Sequence, residues 1–254
     1  MDYEDIEGIV QRQLMLDIGC KENAEGIYRV TMNKRPERMS EGRRIYGEGG
    51  DFFRLIVYGD DAYILSDGAI YDWSRDHFGN MVPRHMMNFH NLRALDKELI
   101  KSGYMILELQ ECYLPGRELF SEDEGLHKAT AIAELGEDEK KEMAGSGSFR
   151  HAIVSLGKSL TAFAICNEKT GEKVAAAGAQ RDGKYLWQIG VDVKPEFRGR
   201  SYATALVRYL TRVLLQRGNL PFYGVRPGNI ISKRVAEAAG YEAAFSEIHI
   251  CRTA

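Results

Sequence analysis

Val193-Lys-Pro-Glu-Phe-Arg198-Gly-Arg-Ser-Tyr-Ala203 is the stretch whose reading decides the fold. It reads as the end of a strand, a basic turn containing glycine, and the start of a helix. Just upstream, Tyr185, Trp187, Ile189, Val191 and Val193 alternate with Gln188, Gly190 and Asp192, the period of a strand. Gly190 inside that run predicts a bulge or a close approach of backbone to a ligand. Downstream, Ala203, Leu206, Val207, Leu210, Val213 and Leu214 form one apolar stripe over a predicted helix from Ser201 to Gln216, closed by Gly218. The first N–H groups of a helix lack partners inside it, and the helix dipole adds partial positive charge there. Arg198 and Arg200 add charge-assisted donors, and Gly199 permits unusual backbone angles. The stretch is therefore a candidate phosphate cradle, although a basic surface turn before an ordinary helix fits the same residues.

Outward from this point the pattern stays regular. Leu160–Cys166 and Lys173–Gln180 are strand-like around a turn-forming loop, and predict a hairpin. Phe222–Val225 is a short strand. Asn229 caps a predicted helix with Ile231, Val235 and Ala238 as its apolar residues, and Gly240 stands at its C-terminus. A last strand covers about Ala244 to Cys251. In the N-terminal half, residues 4–18 and Asn91–Ser102 read as helices. Phe52–Tyr58 and Ala62–Leu65 predict a hairpin, and Tyr104–Leu114 a strand. A short charged helix is expected near 137–143. The acidic, turn-rich Ser121-Glu-Asp-Glu-Gly125 marks an expected boundary, giving domains 1–122 and 123–254.

The 254 residues carry a net charge of −3 with no dense Lys/Arg block, so no nucleic-acid or anionic-membrane role is expected. The four cysteines lie far apart without a Cys-x-x-Cys pair, so no metal site is expected. The acidic start of the chain lacks the marks of a signal peptide, and no apolar run approaches a membrane span. A cytoplasmic protein is the resulting expectation.

The stretch Val193-x-Pro-x-x-Arg-Gly-Arg-Ser-Tyr-Ala203 resembles the coenzyme A signature of the GNAT acetyltransferase superfamily, Gln/Arg-x-x-Gly-x-Gly/Ala after a strand ending Val-x-Pro. Arg198 matches the first position and Ala203 the last, while Ser201 stands where glycine is usual. A second landmark, Asn229-Ile-Ile-Ser232 followed by Ala-Gly-Tyr241, resembles the family's Asn-x-x-Ser/Ala helix and Gly-Phe/Tyr. Trp187–Val193 with Pro221-Phe-Tyr223 downstream is similar to a bacterial subgroup that has an extra N-terminal domain. The resemblance covers about residues 160–245.

This resemblance implies an α+β fold: a GNAT-like mixed, mostly antiparallel sheet flanked by helices, with an additional N-terminal α/β domain. It implies acetyl-CoA as cosubstrate, held by Val191, Val193, Arg198, Gly199, Arg200, Ser201, Tyr202, Ala203, Asn229 and Ser232. The strand is expected to splay near Gly190, leaving backbone groups for the pantetheine arm and an N–H near Val191 for the thioester carbonyl. The acceptor is a primary amine on a small molecule or peptide. Many relatives place a Tyr beside the sulfur where this chain has Ala236, so Tyr223, Ser232 and Tyr241 are the candidate acids, and no acid at all is an alternative. Asp192, Glu247 and His249 are the candidate bases. At the crowded turn, Ser201 is expected to be tolerated as a helix N-cap with a hydroxyl to offer.

Trp73, His77, Phe78, His85, Met86, Met87 and His90 read either as an acceptor pocket or as core plus loop, and Gly47-Glu-Gly-Gly50 as a turn. Two functions fit the whole: an N-acetyltransferase, and a non-catalytic acyl-CoA sensor that keeps the cradle without the chemistry. Thiol release in the presence of amines separates them.

Overall fold

Residues rich in β-branched and aromatic side chains on either side of a left-handed glycine make the first hairpin. β2 (Phe53–Tyr58) and β3 (Asp61–Ser66) pair antiparallel across Gly59, whose φ is 58°. The structure is a computed structural model describing residues 1–20, 30–47, 49–120, 132–153, 160–167 and 169–253. Its chain forms two compact units: Glu7–Cys112 with Val225–Gly228 and Ala243–Ala254, and Met1–Ile6 with Tyr113–Gly224 and Asn229–Glu242. The expected division between 122 and 123 falls outside the described residues.

The first unit holds nearly all of α1 (Ile6–Asp17), then β1 (Val30–Lys34), β2, β3 and most of β10 (Tyr241–Arg252), with strand order β1-β3-β2-β10. β10 pairs antiparallel with β2, and β1 lies parallel to β3. Three helices follow the hairpin: α2 (Tyr71–Phe78), α3 (Pro83–Met86) and α4 (Phe89–Ile100). β4 (Tyr104–Pro115) comes next. Its core joins Phe53, Leu55, Ile64, Phe78, Met86, Leu95 and Leu99, with Trp73 and Met87 packed against it. Trp73, Phe78, Met86 and Met87 therefore build core, whereas His85 and His90 are exposed. His77 stacks on Trp73 with ring centroids 4.7 Å apart.

The second unit carries β5 (Ile132–Glu134), α5 (Glu137–Ser146), β6 (Leu160–Cys166), β7 (Lys173–Asp182) and β8 (Leu186–Val193). After these come α6 (Tyr202–Gln216), β9 (Leu220–Val225) and α7 (Ile230–Ala238). The strand order is β9-β8-β7-β6-β5; every neighbouring pair is antiparallel except β8 with β9. α6 buries Leu206, Val207, Leu210, Thr211, Leu214 and Leu215, the expected stripe with Thr211 and Leu215 replacing its flanks. Thr211 fits there because its hydroxyl bonds Val207 O at 2.8 Å and the Tyr241 hydroxyl at 2.6 Å. The stripe expected on α7 is displaced. Ala236 and Ala239 are buried, whereas Ile231 is 79% exposed, because this helix packs through its smallest residues. The fold is thus a mixed, mostly antiparallel sheet arrangement with helices, as the resemblance implies. Among the described residues no helix is long and apolar enough to cross a membrane.

Candidate functional site

β8 and β9 share only three parallel pairs, Leu186↔Leu220, Trp187↔Pro221 and Gln188↔Phe222. Beyond Gln188 the two strands separate, while β8 stays paired with β7 through Val193. Alternate residues of 189–193 turn their backbone groups away from β7, toward the side that β9 has left. The expected splay is present, and it begins two residues before Gly190. Pairing of β7 and β8 runs unbroken through Gly178↔Gly190, so there is no bulge at Gly190.

The close approach expected at Gly190 is real but involves the protein's own backbone. A Cβ there would lie 1.8 Å from His151 O and 2.5 Å from its carbonyl carbon. Residues 147–153 form a turn that rests on this part of β8. Asp192, two residues on, fixes that turn. Its Oδ2 accepts from the backbone N–H groups of His151 at 2.7 Å and Ala152 at 2.9 Å. Its Oδ1 accepts from His151 Nδ1 at 2.7 Å. The His151 side chain is 79% exposed and that of Asp192 15%. Sequence reasoning passed over His151. A lone histidine in a Gly/Ser-rich stretch gives no signal, and its partner is 41 positions away.

At the far end of β8, Val193 leads through a short 3-10 turn, Pro195–Phe197, into the basic loop. Arg198 Nε donates to Val193 O at 3.3 Å, and the Arg200 guanidinium sits 5.2 Å from the Phe197 ring centre. Arg198, Gly199, Arg200 and Ser201 are exposed. Gly199 (φ 76°) and Ser201 (φ 59°) are both left-handed, and Ser201 is the one non-glycine among the described residues with positive φ. Such a backbone gathers successive N–H groups onto one side, where an anion can sit. Tyr202 and Ala203 open α6, so their N–H groups have no acceptor four residues back. Ser201 occupies the N-cap as expected, but its hydroxyl makes no capping bond, because the left-handed backbone replaces the extended one that capping needs. This conformation also explains why the signature usually has glycine here.

Asn229 caps α7 as expected, its Oδ1 accepting from Ser232 N at 3.2 Å. Tyr223 on β9 is buried. Burial raises the Tyr223 phenol above its ordinary range, the neighbouring Ser232 side chain opposes this, and the Asp192 charge adds to the rise. The structure thus brings Val191, Asp192, Val193, the 198–203 loop, Tyr223, Asn229 and Ser232 into one unit. Position 236 is a fully buried alanine.

Glu247 and His249 lie on the part of β10 that belongs to the other unit. There, Arg44 Nη2 donates to Glu247 Oε2 at 2.8 Å and Arg44 Nε to Asp17 Oδ2 at 2.6 Å. The Tyr46 hydroxyl donates to Glu247 Oε2 at 2.6 Å, and His249 bridges Glu247 and Glu108. Asp17, Arg44 and Glu247 are almost wholly buried. Burial by itself would raise the Glu247 carboxyl. The Arg44 guanidinium, His249 and the Tyr46 hydroxyl together outweigh it and hold the group at about 2. These contacts commit both Glu247 oxygens to holding β10 against residues 17 and 44–46.

Residues 163–250 match the family model of FR47-like proteins. No curated protein matches the chain. A GCN5-related N-acetyltransferase from Kribbella flavida is 15% identical and covers 80% of this chain and 90% of its own, with a TM-score of 0.50. A GCN5-related N-acetyltransferase-like protein from Streptococcus suis 89/1591 is 14% identical over 97% of this chain and 99% of its own, with a TM-score of 0.48. An acetyltransferase from the GNAT family of Colwellia psychrerythraea is 13% identical over 57% and 56%, with a TM-score of 0.41. The splayed end of β8 and the basic turn both lie within residues 163–250, the part of the chain that matches the FR47-like family model.

Proposed function

We propose that this chain is an acetyl-CoA-dependent N-acetyltransferase acting on a primary amine of a small molecule or peptide. The observation that carries the reading is the separation of β8 from β9 after Gln188, directly upstream of the exposed basic turn. A long, narrow cosubstrate with a polyanionic end fits a gap between strands that leads to a helix N-terminus. In this reading the N–H groups of 199–203, with Arg198 and Arg200, hold the pyrophosphate. Backbone groups of Val191 and Val193 pair with the pantetheine arm. Asn229 and Ser232 border its other side, and Tyr223 stands by as proton donor to the departing thiolate.

The reaction is direct attack. The amine nitrogen bonds to the thioester carbonyl carbon, the C–S bond breaks, and the thiolate leaves. A backbone N–H at Val191 stabilises the oxyanion, a task suited to a donor held rigidly by the β7 ladder. Much of the acceleration comes from holding the amine and thioester together.

The test is thiol release from acetyl-CoA across a panel of primary amines. Release well above the enzyme-free rate supports transfer. Binding of acetyl-CoA without release from any amine replaces the enzyme by a sensor, the reading that the buried Ala236 favours.

A further inference from the structure

We propose that His151 is the catalytic base of this reaction and that Asp192 is its positioning residue. The inference rests on the acetyl-transfer reading above and adds to it a residue outside the family landmarks. Three observations carry it. First, Asp192 holds His151 at two points, the backbone N–H and Nδ1, and the following residue at a third, the Ala152 N–H. A carboxylate at 2.7 Å from Nδ1 accepts a hydrogen bond, so the proton of the neutral ring sits on Nδ1. Nε2 then carries the lone pair. Second, that nitrogen has no hydrogen-bond partner among the described residues, and the ring is 79% exposed. Third, the turn bearing His151 lies directly on Gly190, in the segment of β8 that β9 has left. A carboxylate, an imidazole locked in one tautomer, and a free second nitrogen together make the arrangement that serves general bases elsewhere. Gly190 is what lets the turn approach this closely, since any Cβ would collide with the His151 carbonyl.

The proton balance is simple. His151 Nε2 takes a proton from the attacking amine as its nitrogen bonds to the carbonyl carbon. The C–S bond breaks and the coenzyme A thiolate departs. Tyr223 protonates the thiolate, and the imidazolium proton returns to the Tyr223 phenolate directly or through water. Asp192 accepts from Nδ1 throughout.

The test uses the full chain with acetyl-CoA, and ethanolamine at high concentration as a generic primary amine that needs no tailored pocket. His151→Ala is expected to lower kcat by about 10²-fold or more, with KM for acetyl-CoA within about twofold. Free imidazole in the buffer is expected to restore at least about a tenth of the lost rate, which a purely structural role would not allow. Asp192→Asn is expected to lower kcat in the same direction, without response to imidazole. His151→Ala activity within about threefold of the unaltered protein, or a loss that imidazole leaves unchanged, overturns the base assignment and leaves acetyl transfer standing. An unaltered protein that binds acetyl-CoA but releases no thiol with ethanolamine or with any other primary amine of the panel overturns the base and the transfer together. Failure to bind acetyl-CoA at all removes the reading on which both rest.

Discussion

Gly190→Ala perturbs one atom and puts both the fold and the proposed chemistry at risk. The added Cβ would lie 1.8 Å from His151 O, and reaching ordinary contact at 3.4 Å needs a movement of about 1.6 Å. β8 cannot supply it cheaply, because the β7 ladder holds it through eight consecutive pairs from Leu186 to Val193. The turn at 147–153 must move instead. A shift of that size breaks the three bonds from His151 and Ala152 to Asp192, which are 2.7, 2.7 and 2.9 Å long. Overpacking alone costs about 1–3 kcal/mol. Hydrogen bonds to a charged group contribute about 1.5–3 kcal/mol each, and an exposed imidazole sits at the low end. Since the freed groups regain water, a net loss of about 2–4 kcal/mol is expected. At roughly 2–4 °C per kcal/mol for a chain of this size, Tm should fall by about 4–16 °C. Calorimetry reads the shift, and histidine NMR reads the release of His151 from Asp192. If Gly190→Ala melts within a degree of the unaltered protein with the His151 resonance in place, the proposed close approach is wrong.

Three further changes have defined signs. Gly8→Ala is the matched control: its Cβ would meet nothing within 4 Å, and it lies inside α1, so a gain of about 0.5–1 kcal/mol is expected in urea unfolding. Ser201→Gly removes a left-handed non-glycine residue whose hydroxyl makes no cap bond, and should stabilise by about 0.5–1 kcal/mol; a destabilised variant would contradict the φ of 59°. Glu247→Gln tests the buried ion cluster. With the folded carboxyl at about 2 and an unfolded value near 4.5, its stabilisation is complete above pH 4.5 and is lost as pH falls toward 2. At about 1.4 kcal/mol per pH unit the contribution is about 3 kcal/mol, so the variant should be weaker by that order at neutral pH and flatter between pH 4.5 and 2. An acid-unfolding profile parallel to that of the unaltered protein would refute it.

Much of the second unit was legible in the sequence, because strand alternation and the α6 stripe are local patterns read over a few turns. Asn229 and Gly240 were legible because capping chemistry is confined to neighbouring residues. α7 misled because bulk was taken as the guide to burial, whereas a close-packed helix buries Ala236 and Ala239 and leaves Ile231 outside. Gly190 announced a close approach but not its partner, since sequence does not say whether backbone or ligand arrives. The His151–Asp192 pair and the Arg44–Glu247 pair were invisible for one reason. Their partners are 41 and 203 positions apart, and only tertiary packing joins them.

Titration calorimetry of the full chain with acetyl-CoA tests the central claim most directly. The account predicts saturable heat with a Kd in the micromolar range, weakened about tenfold or more by Arg198→Ala through loss of one charge-assisted contact to the pyrophosphate. No heat at high micromolar acetyl-CoA, with Arg198→Ala behaving like the unaltered protein, would contradict it.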